Sequence, residues 1–132
     1  MGGQVLESLY HVWFSTKGRK QALEGELGDD ARRLLIETAQ RARIRLLEVE
    51  MVVDHVHLLV ALAETQTLPS VMHQLKGASA RSIFLKHPEL KFDMGHNSFW
   101  QRGYGFRRLS SAEVANVRRY VCTQAERPLR RH

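Results

Sequence analysis

Two histidines separated by one residue lie in an otherwise apolar segment that runs from Asp54 to Val60. Alternate residues of a β-strand share a face, so His55 and His57 would lie side by side while Val56, Leu58 and Val60 face the core. Neutral imidazole is a good ligand for divalent transition metals. The pattern favours a metal site, although a His-x-His pair can also arise by chance in a chain with seven histidines.

A metal held by two histidines needs further donors, and Asp54 would point to the opposite face from the pair if the strand began before it. Near the end of the chain, Tyr120 and Gln124 are four residues apart and share one face of a predicted helix. Gln124 could supply a carbonyl oxygen, and Tyr120 a hydroxyl beside the metal. A phenol has a pKa of about 10 and is a weak nucleophile without a cation or base nearby. From spacing alone, a core-facing aromatic is an equally good interpretation of Tyr120.

The positive charge of the chain is concentrated in its last quarter. The chain has 20 Lys and Arg against 14 Asp and Glu, a net charge of +6, and all of the excess lies in residues 101–132. Arginine binds phosphate oxygens through paired hydrogen bonds, and binding releases counterions, so such an excess is typical of a nucleic-acid partner. A solvated helix face is the alternative interpretation.

The composition is that of one globular domain: 132 residues, of which 43% are hydrophobic and 26% charged. No apolar run approaches the roughly 20 residues of a membrane span, and no signal-peptide pattern is present. The single cysteine, Cys122, excludes an internal disulfide framework and a cysteine-based zinc cluster. We expect a single domain over 1–132, with a core from about 8 to 125 and a short basic C-terminal tail, located in the cytoplasm.

Hydrophobic periodicity predicts the elements that must position these groups. In chain order they are a strand over 9–14, a helix after Gly28, a hairpin over 43–63 turning near 51–54, a helix from Thr67 and Pro69 to before Pro88, a loop over 89–98, a strand over 99–106 and a last helix from Ser110 or Ser111 towards Gln124. Asp29 or Asp30 would cap the first helix. The predicted apolar face of the second helix consists of Val71, Leu75, Ala78, Ser82 and Leu85.

This order of elements predicts an α+β fold, namely a ferredoxin-like βαββαβ sandwich with an added C-terminal helix that carries Tyr120. The first two helices would cover one face of the sheet. The other face would remain for function or for the last helix.

Five segments together resemble the single-tyrosine HUH transposases, the small stand-alone transposases of bacterial insertion sequences, and their REP-associated relatives. The segments are Tyr10-His11 with Phe14-Ser15-Thr16-Lys17, Asp54-His55-Val56-His57-Leu58-Leu59-Val60, Leu75-Lys76-Gly77-Ala78-Ser79-Ala80-Arg81, Phe99-Trp100-Gln101-Arg102-Gly103-Tyr104-Gly105 and Tyr120-Val121-Cys122-Thr123-Gln124. Each is weak alone, but the set is specific, follows the family order and spans nearly the whole chain.

The resemblance implies a metal-dependent transposase that cleaves and rejoins single-stranded DNA at hairpin-bearing element ends. His55, His57 and Gln124 would bind Mg²⁺ or Mn²⁺, and Tyr120 would be the nucleophile that forms a 5′-phosphotyrosine. The family forms homodimers in which the tyrosine helix can serve the partner's histidines, so composite active sites are expected. Such an enzyme would act at the bacterial or archaeal nucleoid.

Several basic residues are expected to contact DNA. Lys76 and Arg81 resemble the family's DNA-contacting segment, and Lys17, Arg19 and Lys20 follow the first strand. Arg118 and Arg119 belong to the arginine-rich last quarter and join this set. For each of these groups, solvated surface charge is the alternative.

The isolated aromatic and histidine residues carry weaker expectations. Trp100, Tyr104 and Phe106 alternate and could stack on bases, but packing in the core or at a dimer interface is preferred for them. The isolated histidines are interpreted as ordinary surface or loop residues: His73, His87 and His96.

Three other functions fit the same sequence. A ferredoxin-like sheet with exposed aromatics can bind RNA or single-stranded DNA without chemistry. A metal-dependent nuclease would use water instead of Tyr120 and would form no covalent adduct. A domesticated relative would bind or nick repeats without mobilising an element.

Overall fold

The computed structural model describes residues 7–94 and 98–110 together with Glu113. In chain order the elements are β1 (Glu7–Ser15), a 3₁₀ turn (Lys17–Arg19), α1 (Gly25–Arg41), β2 (Arg45–Val52), β3 (His55–Ala63), α2 (Leu68–Lys86), α3 (Leu90–Met94) and β4 (Gly105–Leu109). The strands form one antiparallel sheet in the order β2-β3-β1-β4. The predicted α+β, ferredoxin-like fold is confirmed.

The predicted last helix lies outside the described residues, and with it Arg118, Arg119, Tyr120 and Gln124. Within the described part of the chain, no helix combines the length and the apolar composition that crossing a membrane requires.

The hydrophobic core lies between α1, α2 and one face of the sheet. Val12 of β1 and Leu58 of β3 are neighbours in the sheet, and both are fully buried. Leu35 of α1 and Leu75 of α2 close the core from above. Burying one such side chain stabilises the fold by about 1.5–3 kcal/mol. The apolar residues of each strand therefore determine which side of that strand faces the helices. We call the opposite side of the sheet the open face; it carries His11, Trp13, His55, His57 and Arg107.

The predicted hairpin is confirmed. β2 ends at Val52 and β3 begins at His55, so the chain turns at 53–54, within the predicted stretch. The ladder is irregular between Leu46 and Glu48, which marks a bulge in β2. A bulge twists the strand locally but leaves the register next to the turn intact.

The start of α2 agrees with the prediction, and so does the first part of its buried face, where Val71 and Leu75 are buried; the later part does not. The Thr67 hydroxyl accepts a hydrogen bond from the backbone N–H of Ser70 at 3.3 Å, and Pro69 lies in the first turn. Farther along, Leu85 is 83% exposed while Ile83 is buried. The predicted face repeats every 3.5 residues, whereas a straight helix repeats every 3.6, so the two diverge after the first turns.

The predicted start of α1 was wrong. The helix begins at Gly25 after Glu24, and neither Asp29 nor Asp30 caps it. The start is set by tertiary contacts: Leu23 is buried, and its N–H donates to the carbonyl oxygen of Val53 at 2.8 Å. This anchors the residues before the helix to the turn of the hairpin.

Asp30 instead connects α1 to the end of α2. Its carboxylate lies 2.8 Å from His87 Nε2 and also contacts Arg33 and Lys86. The hydrogen bond from His87 is the main reason that the pKa of Asp30 is lowered. His87 lies in the loop after α2, as predicted, but the prediction did not include its contact with Asp30.

The chain from 89 to 106 also differs from the prediction. The expected loop contains α3, and the expected strand over 99–106 starts only at Gly105. Trp100 makes one isolated bridge to Thr16, and its indole N–H donates to Ser79 Oγ at 2.9 Å in the core. The carbonyl groups of 101 and 103 accept hydrogen bonds from a lysine on α2 rather than from a neighbouring strand. Ladder pairing is therefore interrupted until Gly105.

Gly28 is required by close packing inside α1. A Cβ at this position would lie 2.8 Å from the backbone carbonyl carbon of Leu23. At Gly77 in α2, the nearest atom to an added Cβ would be the end of the Arg81 side chain, 3.7 Å away. A Cβ atom would therefore overlap with backbone at Gly28, whereas Gly77 has room for one.

We expect Gly28→Ala to destabilise the fold by about 1–3 kcal/mol, because the overlap with backbone outweighs the helix propensity of alanine. The matched variant Gly77→Ala should be neutral or stabilising by up to about 1 kcal/mol. Urea unfolding of both variants measures the difference. Shifts of both midpoints in the same direction would contradict the explanation.

Candidate active site

The two histidines of the predicted metal site lie side by side on the open face, at the start of β3. His57 pairs with Trp13 of β1 and with Glu50 of β2, and His55 pairs with Ser15. The His55 and His57 ring centroids are 5.0 Å apart. Because β3 is an inner strand, His57 is only 9% exposed even though no described helix covers this face.

Each of the two imidazoles has its Nδ1 atom engaged by a neighbouring side chain. His55 Nδ1 lies 2.8 Å from an Asp54 carboxylate oxygen, and His57 Nδ1 lies 3.0 Å from Nε2 of His11. The prediction that Asp54 lies on the opposite face holds only for a strand that begins before Asp54, and β3 begins at His55. Asp54 belongs to the turn that precedes β3, where strand alternation does not apply.

The donor set fits a divalent metal. Histidine ligands usually donate their second ring N–H to a carboxylate or a similar acceptor, which fixes the ring and its tautomer. With both Nδ1 atoms engaged in this way, a metal would be bound through the two Nε2 atoms. Among the described residues, no group of three His, Cys, Asp or Glu side chains is arranged so that all three could hold one metal ion. A third protein ligand must come from elsewhere, and the predicted one, Gln124, lies outside the described residues.

The pKa of His57 is lowered to about 4, first by burial and then by the neighbouring His55 and His11. The pKa of His11 is also lowered, by burial and by the charge of Arg107. Metal binding requires neutral imidazole, so this environment keeps His57 in the form that can bind a metal at neutral pH.

Arg19 lies at the edge of the histidine pair. Its guanidinium is 3.5 Å from the Asp54 carboxylate and 3.2 Å from Ser15 Oγ, and its side chain is mostly exposed. Gly18 and Arg19 both have positive φ angles, 64° and 53°. Positive φ in a non-glycine residue is a strained state that is most often found at functional sites. The structure thus brings Arg19, one of the predicted DNA-binding residues, to the histidines.

The open face is acidic towards β2 and basic towards β4. Glu50 is paired with His57 and Glu48 with Leu59, whereas Arg107 is paired with His11. The Arg107 guanidinium also lies 3.2 Å from Glu113. A phosphate group near the histidines would therefore be favoured on the β1 and β4 side.

Two other predicted DNA-binding residues are far from the histidines. Lys76 and Arg81 are on α2, on the opposite side of the sheet. The Lys76 ammonium donates to the backbone carbonyls of Gln101 and Gly103 and lies 5.5 Å from the centre of the Phe14 ring. Burial lowers the pKa of Lys76. Lys76 therefore holds the 101–103 segment in place, while Arg81 is exposed.

A cavity of about 430 Å³ lies between α2 and the 98–104 segment. Trp100, Tyr104 and Lys76 contribute to its lining. Trp100 is buried, in agreement with the preference for core packing, whereas Phe106 is about half exposed. Like Lys76, this cavity lies on the helix side of the sheet.

The sequence-based interpretation missed His11, Trp13 and Asp54 as parts of the site. The sequence contains one feature from which His11 and Trp13 could have been assigned to the site. His11, Trp13 and Ser15 alternate in β1 as His55 and His57 do in β3, so pairing of the two strands would place them on one face.

Comparison with known proteins gives one consistent result. Residues 4–124 match the family model described as IS200-like transposase. The chain is 31% identical over 125 residues to the ISDra2 transposase TnpA of Deinococcus radiodurans, covering 95% of this chain and 89% of that protein. It is 31% identical over 117 residues to the IS200 transposase of Salmonella typhimurium, covering 89% and 76% of the two chains.

Solved structures agree with the sequence comparisons. A crystal structure of a protein from Deinococcus radiodurans R1 matches with a TM-score of 0.75 and 31% identity, covering 94% of this chain and 95% of the other. A REP-associated tyrosine transposase, solved bound to a REP hairpin, matches with a TM-score of 0.64 over 94% and 70% of the chains. At 11% identity, the second likeness shows the fold alone.

The lowered pKa of His57 predicts a pH dependence of stability for the metal-free protein. The unfolded chain binds a proton near pH 6.5, whereas folded His57 binds one only near 4. Its contribution to stability is complete above pH 6.5 and is lost as the pH falls towards 4, by about 1.4 kcal/mol per pH unit.

Urea unfolding in EDTA at pH 7.5 and pH 5 measures this loss. The wild type should lose about 2 kcal/mol more than His57→Gln between the two values. The exposed residue His73 offers a matched control, since His73→Gln should behave like the wild type. An NMR titration that places the pKa of His57 near 6.5 would contradict the prediction.

Proposed function

The chain belongs to the IS200-like transposase family, and from this we propose that it cleaves and rejoins single-stranded DNA at the hairpin-bearing ends of an insertion element. The observation that carries the proposal is the His55–His57 pair. Both rings lie on the open face, with their Nδ1 atoms engaged by Asp54 and His11. This is the arrangement expected of metal ligands.

We assign Mg²⁺ or Mn²⁺ to His55, His57 and Gln124. When bound, such an ion would supply Lewis-acid polarisation of a non-bridging oxygen of the scissile phosphate. The protein's own contribution is orientation. Asp54 and His11 hold the two rings by hydrogen bonds, and the hairpin turn fixes Asp54 next to His55. Burial of His57 keeps it neutral.

Tyr120 is the proposed nucleophile, on the strength of the family resemblance. Its phenolic oxygen would form a bond to phosphorus while the bond from phosphorus to the 3′-oxygen breaks. The phenolic proton would be lost, and the departing 3′-oxygen would take up a proton. The resulting 5′-phosphotyrosine keeps a phosphodiester bond, so the 3′-hydroxyl of another DNA end can reverse the step without ATP.

The charge distribution supports an approach of DNA from the β1 and β4 side of the open face. Arg19 and Arg107 lie on this side, while Glu48 and Glu50 lie on the other side of the histidines. Lys17, Arg118 and Arg119 remain proposed contacts to the DNA backbone, as do Lys76 and Arg81 on the helix side. Paired Arg–phosphate hydrogen bonds would position the strand without reading its sequence.

We further propose a homodimer with composite active sites, in which the Tyr120 helix of one subunit serves the histidines of the other. The proposed DNA partner carries a hairpin. The REP-associated transposase bound to a REP hairpin shares the fold of this chain, which makes a hairpin a reasonable first substrate to test. The enzyme would act at the nucleoid, in the cytoplasm.

A denaturing gel tests the chemistry. Labelled single-stranded DNA with the hairpin of the element's own end is incubated with the protein and Mn²⁺ or Mg²⁺. The wild type should give a protein–DNA adduct that resists denaturation. Tyr120→Phe and His57→Ala should each reduce adduct formation at least about 10³-fold, and EDTA should abolish it. His73→Ala, a change at an exposed histidine on α2, serves as the control.

Cleavage that persists in Tyr120→Phe would make the protein a hydrolytic nuclease. Hairpin binding by the wild type without cleavage would favour a binding module or a domesticated relative. Either result would refute the proposed strand transfer.

A further inference from the structure

Trp13 is a large aromatic residue placed directly beside the candidate metal ligands. It lies on the open face of β1 and is paired with His57 on one side and with Gly105 of β4 on the other. Side chains of directly opposed residues in an antiparallel pair are in contact distance. The indole is 39% exposed, although Trp is among the residues that gain most from burial.

Gly105 provides the space that the indole occupies. A Cβ at position 105 would lie 2.1 Å from Nε1 and 2.2 Å from Cε2 of Trp13. The ring therefore lies across the backbone of Gly105, and a side chain there would displace it. The His11 ring also lies next to the indole, with centroids 5.0 Å apart. Trp13 is thus held in place from one side while much of its surface stays accessible.

We propose that one unpaired nucleobase stacks on the Trp13 indole, next to the scissile phosphate at the proposed metal site of His55 and His57. This inference rests on the proposed function, because it takes single-stranded DNA as the substrate. Unpaired bases stack on exposed aromatic rings in single-strand binding proteins, and the stacking tolerates any base. Two cations near Trp13 could contact the phosphates that flank such a base. Arg107 is paired with His11, the next residue of β1 on the same face as Trp13, and Arg19 lies in the turn after β1.

The other described aromatics do not offer an equivalent surface on the open face. Phe106 is about half exposed, but it is paired with Val12 and lies on the helix side of the sheet. Trp100 is buried in the core and donates its N–H to Ser79. Phe92 is 90% exposed, but it belongs to α3, away from the open face. Trp13 is therefore the tryptophan whose fluorescence would respond to DNA on the open face, and Phe92 provides a matched exposed aromatic for comparison.

The test measures DNA affinity without catalysis. Wild type, Trp13→Ala, Trp13→Phe and Phe92→Ala are titrated in EDTA with the hairpin end and its unpaired flanks. Trp13→Ala should weaken binding about tenfold, Trp13→Phe about threefold or less, and Phe92→Ala should leave the affinity unchanged. Equal affinity of wild type and Trp13→Ala would overturn the inference.

Two further measurements locate the base and guard against misfolding. Abasic sites are placed one at a time in the unpaired flanks. At one position, the missing base should weaken binding by the wild type as much as Trp13→Ala does. The same abasic site should cause no further loss of affinity in the Trp13→Ala variant. DNA should quench the fluorescence of the wild type but not that of Trp13→Phe, which retains only the buried Trp100. A uniform abasic profile, or quenching that persists in Trp13→Phe, would refute the stacking role.

Adduct formation by the same proteins separates this inference from the proposed function. A wild type that forms adducts and a Trp13→Ala variant of unchanged affinity would refute only the stacking on Trp13. A wild type that forms no adduct on its hairpin end would refute the proposed chemistry, whatever Trp13 does.

Discussion

The pairing of β1 with β3 sets both the hydrophobic core and the candidate site. Nine residue pairs run from Glu7 with Ala63 to Ser15 with His55. On the helix side this register brings Val12 against Leu58 in the core, and on the open face it brings His11 and Trp13 to the histidines of β3. A shift by one residue would turn every one of these side chains to the other face. Core burial and the geometry of the candidate site are therefore fixed by the same register.

The candidate site combines local and distant support. Asp54 reaches His55 because it belongs to the adjoining turn, whereas His11 reaches His57 from another strand. Arg19 adds a cation next to Asp54 from a turn with positive φ angles. Strain of this kind persists only where surrounding contacts maintain it, and here the N–H of Gly18 donates to the Gln101 side chain at 3.0 Å. The turn after β1 is thus part of the site.

The two sides of the sheet have different tasks. The helix side carries the core. On this side, Lys76 holds the 101–103 segment by hydrogen bonds, and because the backbone of this segment is irregular, β4 begins only after it. The open face carries the histidines, with acids towards β2 and Arg107 towards β4. The chain belongs to the IS200-like transposase family over nearly its full length. One face of the sheet for binding DNA and the other for the hydrophobic core is an arrangement that suits a transposase.

Features that depend on neighbouring residues could be predicted from the sequence: the shared face of His55 and His57, the N-cap of α2 at Thr67 and the hairpin turn at 53–54. The sequence also carried the motifs of the family. The partners of the histidines, the role of Asp30 and the start of β4 became known from the folded chain alone. These depend on hydrogen bonds between residues far apart in sequence, such as His11 with His57 and Asp30 with His87. Periodicity and capping signals extend over a few residues, so they cannot encode such pairings.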